Sequence, residues 1–520
     1  MHSPHARRRS RDVPSHPYGI PGGAQRSVGT FRHPGRNRLR HHRGPRQRRP
    51  YRRRRNDLGA CPGDRRGRRG RRAAGKRADE APRRPRIPLP GRRCPVHQLP
   101  LAAFEPPCAR RGLCRRRDHA GRVSGGHRGR LSLLQLRRRH VDRVTIFRLL
   151  HEDATSRARR GRLTLAHGVV ETPAFMPVAT HGSVKGLTPL QIRETGAEMI
   201  LSNAYHLWLR PGCDVIETAG GLHRFCGWSG PILTDSGGYQ IFSLASLARV
   251  SDDGVTFRSH IDGSTHALTV EEVVRAQERL GSDVAMILDE CPPGDADRGT
   301  VAAATERTAR WAERAAAARS RADQAVFGIV QGGTHLDLRQ QSARAVIRLG
   351  FDGYALGGLS VGEPRPDTWR IAAATTPHLP ADQPRYFMGA GTPTDLVRLV
   401  AAGVDLFDCV LPTRLARNGT LFTSAGPVVI RHARYAADPR PVDEACTCYS
   451  CRHFGRAYLR HLLMAREPLA VTLNTLHNVT YYQRLMLRMR EAIATDTFGA
   501  FAASREWTPS AATEEGTWTA

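Results

Sequence analysis

Lysine is almost missing from this chain. Only Lys76 and Lys185 occur among 520 residues, so its basic charge is nearly all arginine. After Met1 no methionine appears until Met176, aromatic residues make up 6%, and no apolar run reaches the ~18 residues that a membrane helix requires. The N-terminus lacks the apolar core of a signal peptide, and arginine interspersed with proline does not build the amphipathic helix of a transit peptide. These absences exclude a membrane-spanning helical protein and point to a cytoplasmic one, in which thiols stay reduced.

What is present is unevenly spread. The net charge of +34 suggests a nucleic-acid partner. Residues 1–140, however, hold 41 basic and 7 acidic side chains, which leaves 40 of each sign for the rest. That segment is rich in Arg, Pro and Gly, has no sustained helix or strand period, and cannot bury enough apolar surface to offset its ordering entropy. It is expected to be a disordered extension. The near-exclusive use of arginine favours GC-rich DNA translated upstream of a mis-assigned start, with the true start at a non-Met codon such as Val141 or Val144. The alternative is a basic arm that gathers RNA without sequence preference.

From residue 174 onward short apolar runs end in small or polar residues before helical stretches. Eight recur, at 174–180, 198–205, 231–238, 284–290, 325–333, 354–360, 384–391 and 404–409. Between them lie helix candidates such as "TERTARWAERAAAARSR" and, starting at Thr and stopping at Gly, "TVEEVVRAQERLG" and "TPTDLVRLVAAG". Near-continuous apolar strands alternating with helices argue for a parallel sheet covered on both faces. Eight units in about 250 residues fit an α/β (β/α)8 TIM barrel over 145–420 better than a doubly wound open sheet. Ile241 to Leu268 is too long for a simple connection and alternates like a hairpin, so an inserted antiparallel excursion is expected. A small lobe and the closing helices "RAYLRHLLMAR" and "TYYQRLMLRMREAIATDTFGAF" follow over 421–502, then a loose tail over 503–520.

In a barrel, chemistry gathers at the carboxyl ends of the strands. That rule puts Asp235, Asp289, Gln331, Gly357, Gly358, Gly389 and Asp408 on one rim. Carboxylates leaving apolar strands there suit glycosidic chemistry, in which one attacks carbon and another moves protons. A helix cap or an ion pair is the plainer account of either Asp. The glycines of "YALGGLS" and "GAGTPTD" can expose N–H donors or simply make tight turns. Arg414 and Arg417, three apart in a loop beside the rim, suit phosphates or a solvated charged face.

"CTCYSC" packs Cys446, Cys448 and Cys451 into six positions. In a reducing compartment three soft ligands at this spacing read as a metal site. The fourth ligand could be His453, His461 or His477; His453, two residues from Cys451, would strain to reach the same ion.

Taken in order, "TDSGGYQ", "DEC", "GIVQGG", "YALGGLSVGE", "FMGAGTPTDL", "FDCVLPTRLARNG" and "CTCYSC" with a later His resemble the bacterial queuine tRNA-ribosyltransferases, also called tRNA-guanine transglycosylases. The resemblance runs from about Thr145 to about Phe501. It implies a zinc-containing barrel, usually a homodimer, that replaces the first anticodon guanine of the tRNAs for Asp, Asn, His and Tyr. The incoming base is 7-aminomethyl-7-deazaguanine, a queuosine precursor, and no cofactor besides zinc is implied.

Carried onto this sequence, the resemblance makes Asp408 the nucleophile and Asp235 the general acid/base. Substrate contacts fall to Asp235, Ser236, Gly237 and Gly238, to Asp289 and Gln331, and to the backbone of Gly358 beside Leu359. Tyr239 and Met388 sandwich the base. RNA contacts fall to Gly389, Ala390, Gly391, Thr392, Pro393, Thr394 and Asp395, and to Thr413, Arg414, Leu415, Ala416 and Arg417. The fourth metal ligand becomes His477, and four protein ligands leave no open coordination position, so the zinc is implied to be structural. Val361 and Cys291 follow the bacterial pattern, which favours the aminomethyl base. Since residues 141–520 are neutral overall, RNA binding needs a local patch, with Arg414, Arg417, Arg431 and Arg434 as candidates. The competing expectations are an archaeal-type D-loop transglycosylase, which would carry further C-terminal domains, and a non-catalytic tRNA-binding zinc protein, which would lack the carboxylates.

Overall fold

A computed structural model describes residues 146–239 and 248–504; the extension 1–140, the start candidates Val141 and Val144, and the tail from 505 onward lie outside the described residues. The described chain opens with an antiparallel sheet that the sequence reading did not anticipate: β1 (Phe147–Glu152), β2 (Arg159–Leu165) and β3 (Gly168–Thr172). β2 points Arg159, Gly161 and Leu163 inward and exposes Arg162 and Thr164 between them. Arg159 reaches Asp405 with two bonds, of 2.9 and 2.6 Å, and both side chains are buried. Asp405 precedes a barrel strand, so this sheet lies against the amino ends of the barrel, opposite the rim where chemistry is expected.

The barrel strands are β4 (Ala174–Pro177), β5 (Ile200–Asn203) and β6 (Ile232–Asp235). An antiparallel excursion of β7 (Arg249–Ser251), β8 (Gly254–Arg258) and β9 (Thr265–Thr269) comes next. β10 (Val284–Met286), β11 (Ala325–Val330), β12 (Gly353–Leu356), β13 (Arg385–Phe387) and β14 (Leu406–Cys409) complete the set. Each of the eight expected apolar runs supplies one strand of a single parallel sheet in the order β4-β14-β13-β12-β11-β10-β6-β5. A parallel bridge from Val178 to Leu201 joins β4 back to β5 and closes the barrel. Every residue of these strands is buried except Asp408 and Cys409, which is why they read as apolar runs and not as alternating ones.

Helices begin where the cap residues say. Thr188, Thr269 and Thr392 each form a capping box, with Gln191, Glu272 and Asp395, ahead of Pro189–Glu194, Val270–Leu280 and Pro393–Ala401. Two helices start earlier than their sequence pattern. Arg298–Ala318 begins at the Asp297 cap, which accepts from Thr300 N at 3.0 Å. Pro468–Ala494 begins well before "TYYQRLML" because its first half is buried almost all round, from Leu473 to Thr480, and so shows no amphipathic period. Beyond the barrel come the short pair β15 (Thr420–Leu421) and β16 (Val428–Val429) and the cysteine-bearing helices. Among the described residues no helix is long and apolar enough to cross a membrane.

Candidate active site and metal centre

Asp235 ends β6 and pairs in register with Asn203, which ends β5. The Asn203 amide donates to Asp235 Oδ2 at 2.8 Å, while its oxygen accepts from His206 N at 3.2 Å and caps Ala204–Leu209. One side chain thus fixes the carboxylate and starts the neighbouring helix. Asp408 lies toward the end of β14. Its Oδ1 accepts from the Tyr386 hydroxyl at 2.6 Å and from Gly389 N at 2.9 Å, whereas Oδ2 accepts no hydrogen bond among the described residues. Burial pushes the Asp408 carboxyl up and these two donors pull it partly back. Tyr386 is itself held well above the usual phenol range by burial, then by the charge of Asp408 and, more weakly, of Asp235. It therefore stays protonated and donates to Asp408.

The other half of the rim is a chain of contacts from β6 to β12. Gly238 lies so close to Asp289 that a Cβ there would fall 2.6 Å from the Asp289 carbonyl. Gln331 Nε2 donates to Asp289 Oδ2 at 2.6 Å, and its Oε1 is buried without a partner among the described residues. Gly358 has φ +64°, a left-handed conformation, and a Cβ there would fall 2.2 Å from Gln331 Oε1. Burial lifts Asp289 to about 6, against the pull of Gln331. Ser236 Oγ is likewise buried and has no partner among the described residues. Leu359 is buried, Met388 half-buried and Tyr239 exposed. Cys291 is half-buried and its thiol is pushed up to about 12 by burial. Val361 sits in a loop that Glu363 holds, accepting from Ser360 N at 2.5 Å and Val361 N at 3.0 Å. Sequence reasoning missed Tyr386, Asn203, Arg339 and Glu363. The first two sit inside apolar runs, where they read as core.

Gly389, Ala390 and Gly391 form the turn after β13, and Thr392 and Asp395 spend their side chains on the following helix cap, with Trp369 Nε1 adding a 3.0 Å bond to Asp395. Pro393 and Thr394 are buried in that helix's first turn. Thr413 to Arg417 lie not on a loop but in the helix Leu411–Asn418, which Pro412 starts. Leu415 and Ala416 face inward, and Arg414 and Arg417 are half-buried. Arg414 Nε and Arg417 Nη1 have no hydrogen-bond partner among the described residues, and burial followed by the charge of Arg414 holds Arg417 below its usual range. Arg431 Nε donates to Asn418 O at 2.9 Å, and the Arg434 guanidinium lies 4.8 Å from the Tyr435 ring centre.

The metal-ligand candidates converge. Ligand atoms of Cys446, Cys448, Cys451 and His477 all lie within 4.8 Å of one another, and all four residues are buried. His453 and His461 are not in the cluster. His477 Nε2 sits 2.6 Å from the Phe422 carbonyl, which can only accept, so the proton is on Nε2 and the Nδ1 lone pair faces inward. Nδ1 lies 3.7 Å from Cys448 Sγ and 3.2 Å from Cys451 Sγ. A tetrahedral ion with ordinary zinc–ligand lengths needs edges of about 3.5 Å, so the set fits such an ion. Hydrogen bonds from Cys448 and Cys451 pull the Cys446 thiol far below its usual range, so the cluster favours a thiolate. This buried Cys3His cluster can hold a metal ion. The helix that carries His477 also grips the barrel. Asn478 donates to Pro412 O and Thr420 O at 3.0 Å each, Asn474 donates to Ala416 O at 3.3 Å, and Tyr482 OH donates to Gly391 O.

A closed parallel barrel with carboxylates on its carboxyl rim, followed by a lobe whose Cys3His cluster can hold a metal ion, defines a class of barrel enzyme. Residues 153–508 match the family model described as queuine tRNA-ribosyltransferase. The chain is 56% identical over 354 residues to the queuine tRNA-ribosyltransferase of Desulforudis audaxviator, covering 68% of this chain and 95% of that protein. It is 56% identical over 345 residues to that of Nitrosomonas eutropha (66% and 96%), and 54% over 356 residues to that of Methylobacillus flagellatus (68% and 96%). The chain belongs to the queuine tRNA-ribosyltransferase family. It is accordingly an enzyme, a pentosyltransferase that acts on tRNA and a base as a tRNA-guanine transglycosylase of queuosine biosynthesis.

Proposed function

We propose that this enzyme exchanges the wobble guanine of the tRNAs for Asp, Asn, His and Tyr for 7-aminomethyl-7-deazaguanine, through a covalent glycosyl-enzyme on Asp408. The observation that carries the reading is the asymmetry of that carboxylate: two donors hold Oδ1 while Oδ2 is open. Oδ2 attacks the ribose C1′ of the wobble nucleotide and guanine leaves. The incoming base then attacks C1′ from the opposite face, so two inversions give net retention and the sugar-phosphate chain is never cut. Asp235, oriented by Asn203, takes and returns the purine proton. Ionised Asp289 accepts from the purine N1–H and exocyclic amine together, a pattern adenine lacks. Gln331 Oε1 and the N–H of Gly358 complete the purine edge, with Ser236 and Gly237 alongside. Tyr239 and Met388 flank the flat base and replace the stacking lost when it leaves the anticodon loop. Val361 and Cys291 shape the pocket for the aminomethyl group.

Arg414 and Arg417, half-buried and three residues apart on one helix, meet tRNA phosphates, with Arg431, Arg434 and the turn at Gly389 extending the track. The Cys3His cluster takes zinc, which supplies structural cross-linking there and no open coordination position. The chain divides into a catalytic barrel (145–420) and a zinc lobe (421–502), and it works as a homodimer in the cytoplasm. The homodimer is supported by exposed rings on the lobe: Tyr449 against His453 and Phe454, and Phe454 stacked on the exposed Tyr458 at 5.2 Å.

The test is exchange of labelled guanine into unmodified tRNA-Tyr by the zinc-loaded protein, followed by a denaturing gel. Incorporation together with a tRNA–protein adduct is expected. No incorporation would overturn the exchange reading, and an adduct that persisted in Asp408→Asn would overturn the nucleophile.

A further inference from the structure

The helix Leu336–Ile347 buries Leu338, Arg339, Ser342, Ala343 and Val346, so one arginine lies on an otherwise small or apolar face. Arg339 is 1% exposed and has no carboxylate within ion-pair distance among the described residues. Instead its three nitrogens each donate to a backbone carbonyl: Nε to Gly333 at 2.8 Å, Nη1 to Val330 at 3.1 Å and Nη2 to Gly358 at 3.2 Å. A buried guanidinium with no counter-charge is expensive, and a Met or Leu of similar volume would fill this space without that cost. Its presence there needs a reason other than packing.

The acceptors supply one. Val330 and Gly333 bracket Gln331 in the turn that leaves β11, and Gly358 lies two residues beyond β12. We propose that Arg339 is a positioning residue, which locks these two loops at one separation and so sets the affinity of the pocket for the base. Three coplanar donors on a rigid fork fix three carbonyls at once, which an ammonium cannot do. The separation is critical because the loops already touch, as the 2.2 Å approach of a Gly358 Cβ to Gln331 Oε1 indicates. Holding the Gly358 carbonyl also orients the next peptide. Across a trans bond the Leu359 N–H points the opposite way, so the arginine decides which backbone donor this loop presents. Ser342, three residues on, takes Gln331 N at 3.0 Å, so a single helix face holds the main chain of this residue from two sides.

This inference rests on the base-exchange reading above. Its test compares wild type, Arg339→Lys, Arg339→Met and Ser342→Ala in steady-state guanine exchange and in single-turnover adduct formation with tRNA. Arg339→Met should raise KM for guanine by about tenfold or more, with the rate of adduct formation changed by less than about threefold. Arg339→Lys, which keeps the charge but not the fork, should recover only part of that loss. Unchanged KM in a folded Arg339→Lys protein, or equal losses in KM and adduct rate, would overturn the role. If Arg339→Met does not fold, the lysine variant and Ser342→Ala still decide it. A wild type that exchanges no guanine would instead sink the reading beneath it.

Discussion

The barrel rim and the cysteine lobe both bury ionisable groups, but they differ in what they leave open. On the rim, Asp408 Oδ2, Gln331 Oε1 and Ser236 Oγ have no partner among the described residues, and the carboxyls of Asp408 and Asp289 are pushed toward their neutral forms. In the lobe, four ligand atoms face one another and the one spare nitrogen of His477 is spent on Phe422. An unsatisfied polar atom in a folded protein carries a standing penalty that a substrate can relieve. A closed ligand set has nothing to offer a substrate and contributes its energy to folding. On the function proposed above, the contrast separates the chemistry from its support, although the thiols are by far the more conspicuous in the sequence.

Replacing the open side first should have the largest effect. Asp408→Asn is expected to lower exchange by at least about 10³-fold with the melting curve unchanged; a variant that lost activity by unfolding would erase the contrast. Breaking the closed side should do the reverse. Cys448→Ala, or chelation, should cost several kcal/mol of stability in the lobe, read by calorimetry with metal content by native mass spectrometry. It should also weaken tRNA binding through the helix Leu411–Asn418, while guanine contacts on the rim survive.

Asp289→Asn tests the rim's own cost. Its folded carboxyl titrates near 6 against an ordinary value of 3.8, so around pH 5 the native state holds a proton that the unfolded chain has lost. That contribution is fully present below about pH 4 and disappears as pH rises through about 6. Asn should therefore stabilise the free enzyme at pH 8 by about 1–2 kcal/mol while raising KM for guanine by about 10²-fold. In the wild type, guanine affinity should fall as pH drops through about 6, where Asp289 gains its proton. The smallest effect is expected from Tyr386→Phe, about tenfold in the chemical step. Losing that donor lifts Asp408 further, so the acid limb of the pH profile should move to higher pH; a limb that stayed put would mean the hydroxyl does not tune the nucleophile.

The eight barrel strands were legible because each is buried on both faces and ends in the small or polar residues of the rim. The N-terminal sheet was not, since "FRLLHE" and "RRGRLTL" are short, charged and half-exposed. The rim placement of Asp235, Asp289, Gln331 and Asp408 could be read from the apolar runs that lead into them. Tyr386 could not, because it is the middle residue of "RYF" and looks like core. Arg339 had a usable signal, an arginine at helical spacing on a buried stripe with Ser342 and Val346. The early start of Pro468–Ala494 was hidden because a helix buried all round has no polar face to set its period.

Closure of the barrel has a consequence in time. Strand β4 emerges from the ribosome early, yet its partner in the sheet is β14, with Phe175 beside Phe407, and Gln483 bonds Phe175 O from 308 residues away. At cellular elongation rates the interval between Phe175 and Phe407 lasts roughly 10 to 50 s. Throughout it the growing sheet is an open ribbon with two unpaired edges, and only the last helices latch it. Nascent chains stalled before Phe407 are where chaperone dependence and aggregation of this enzyme should concentrate.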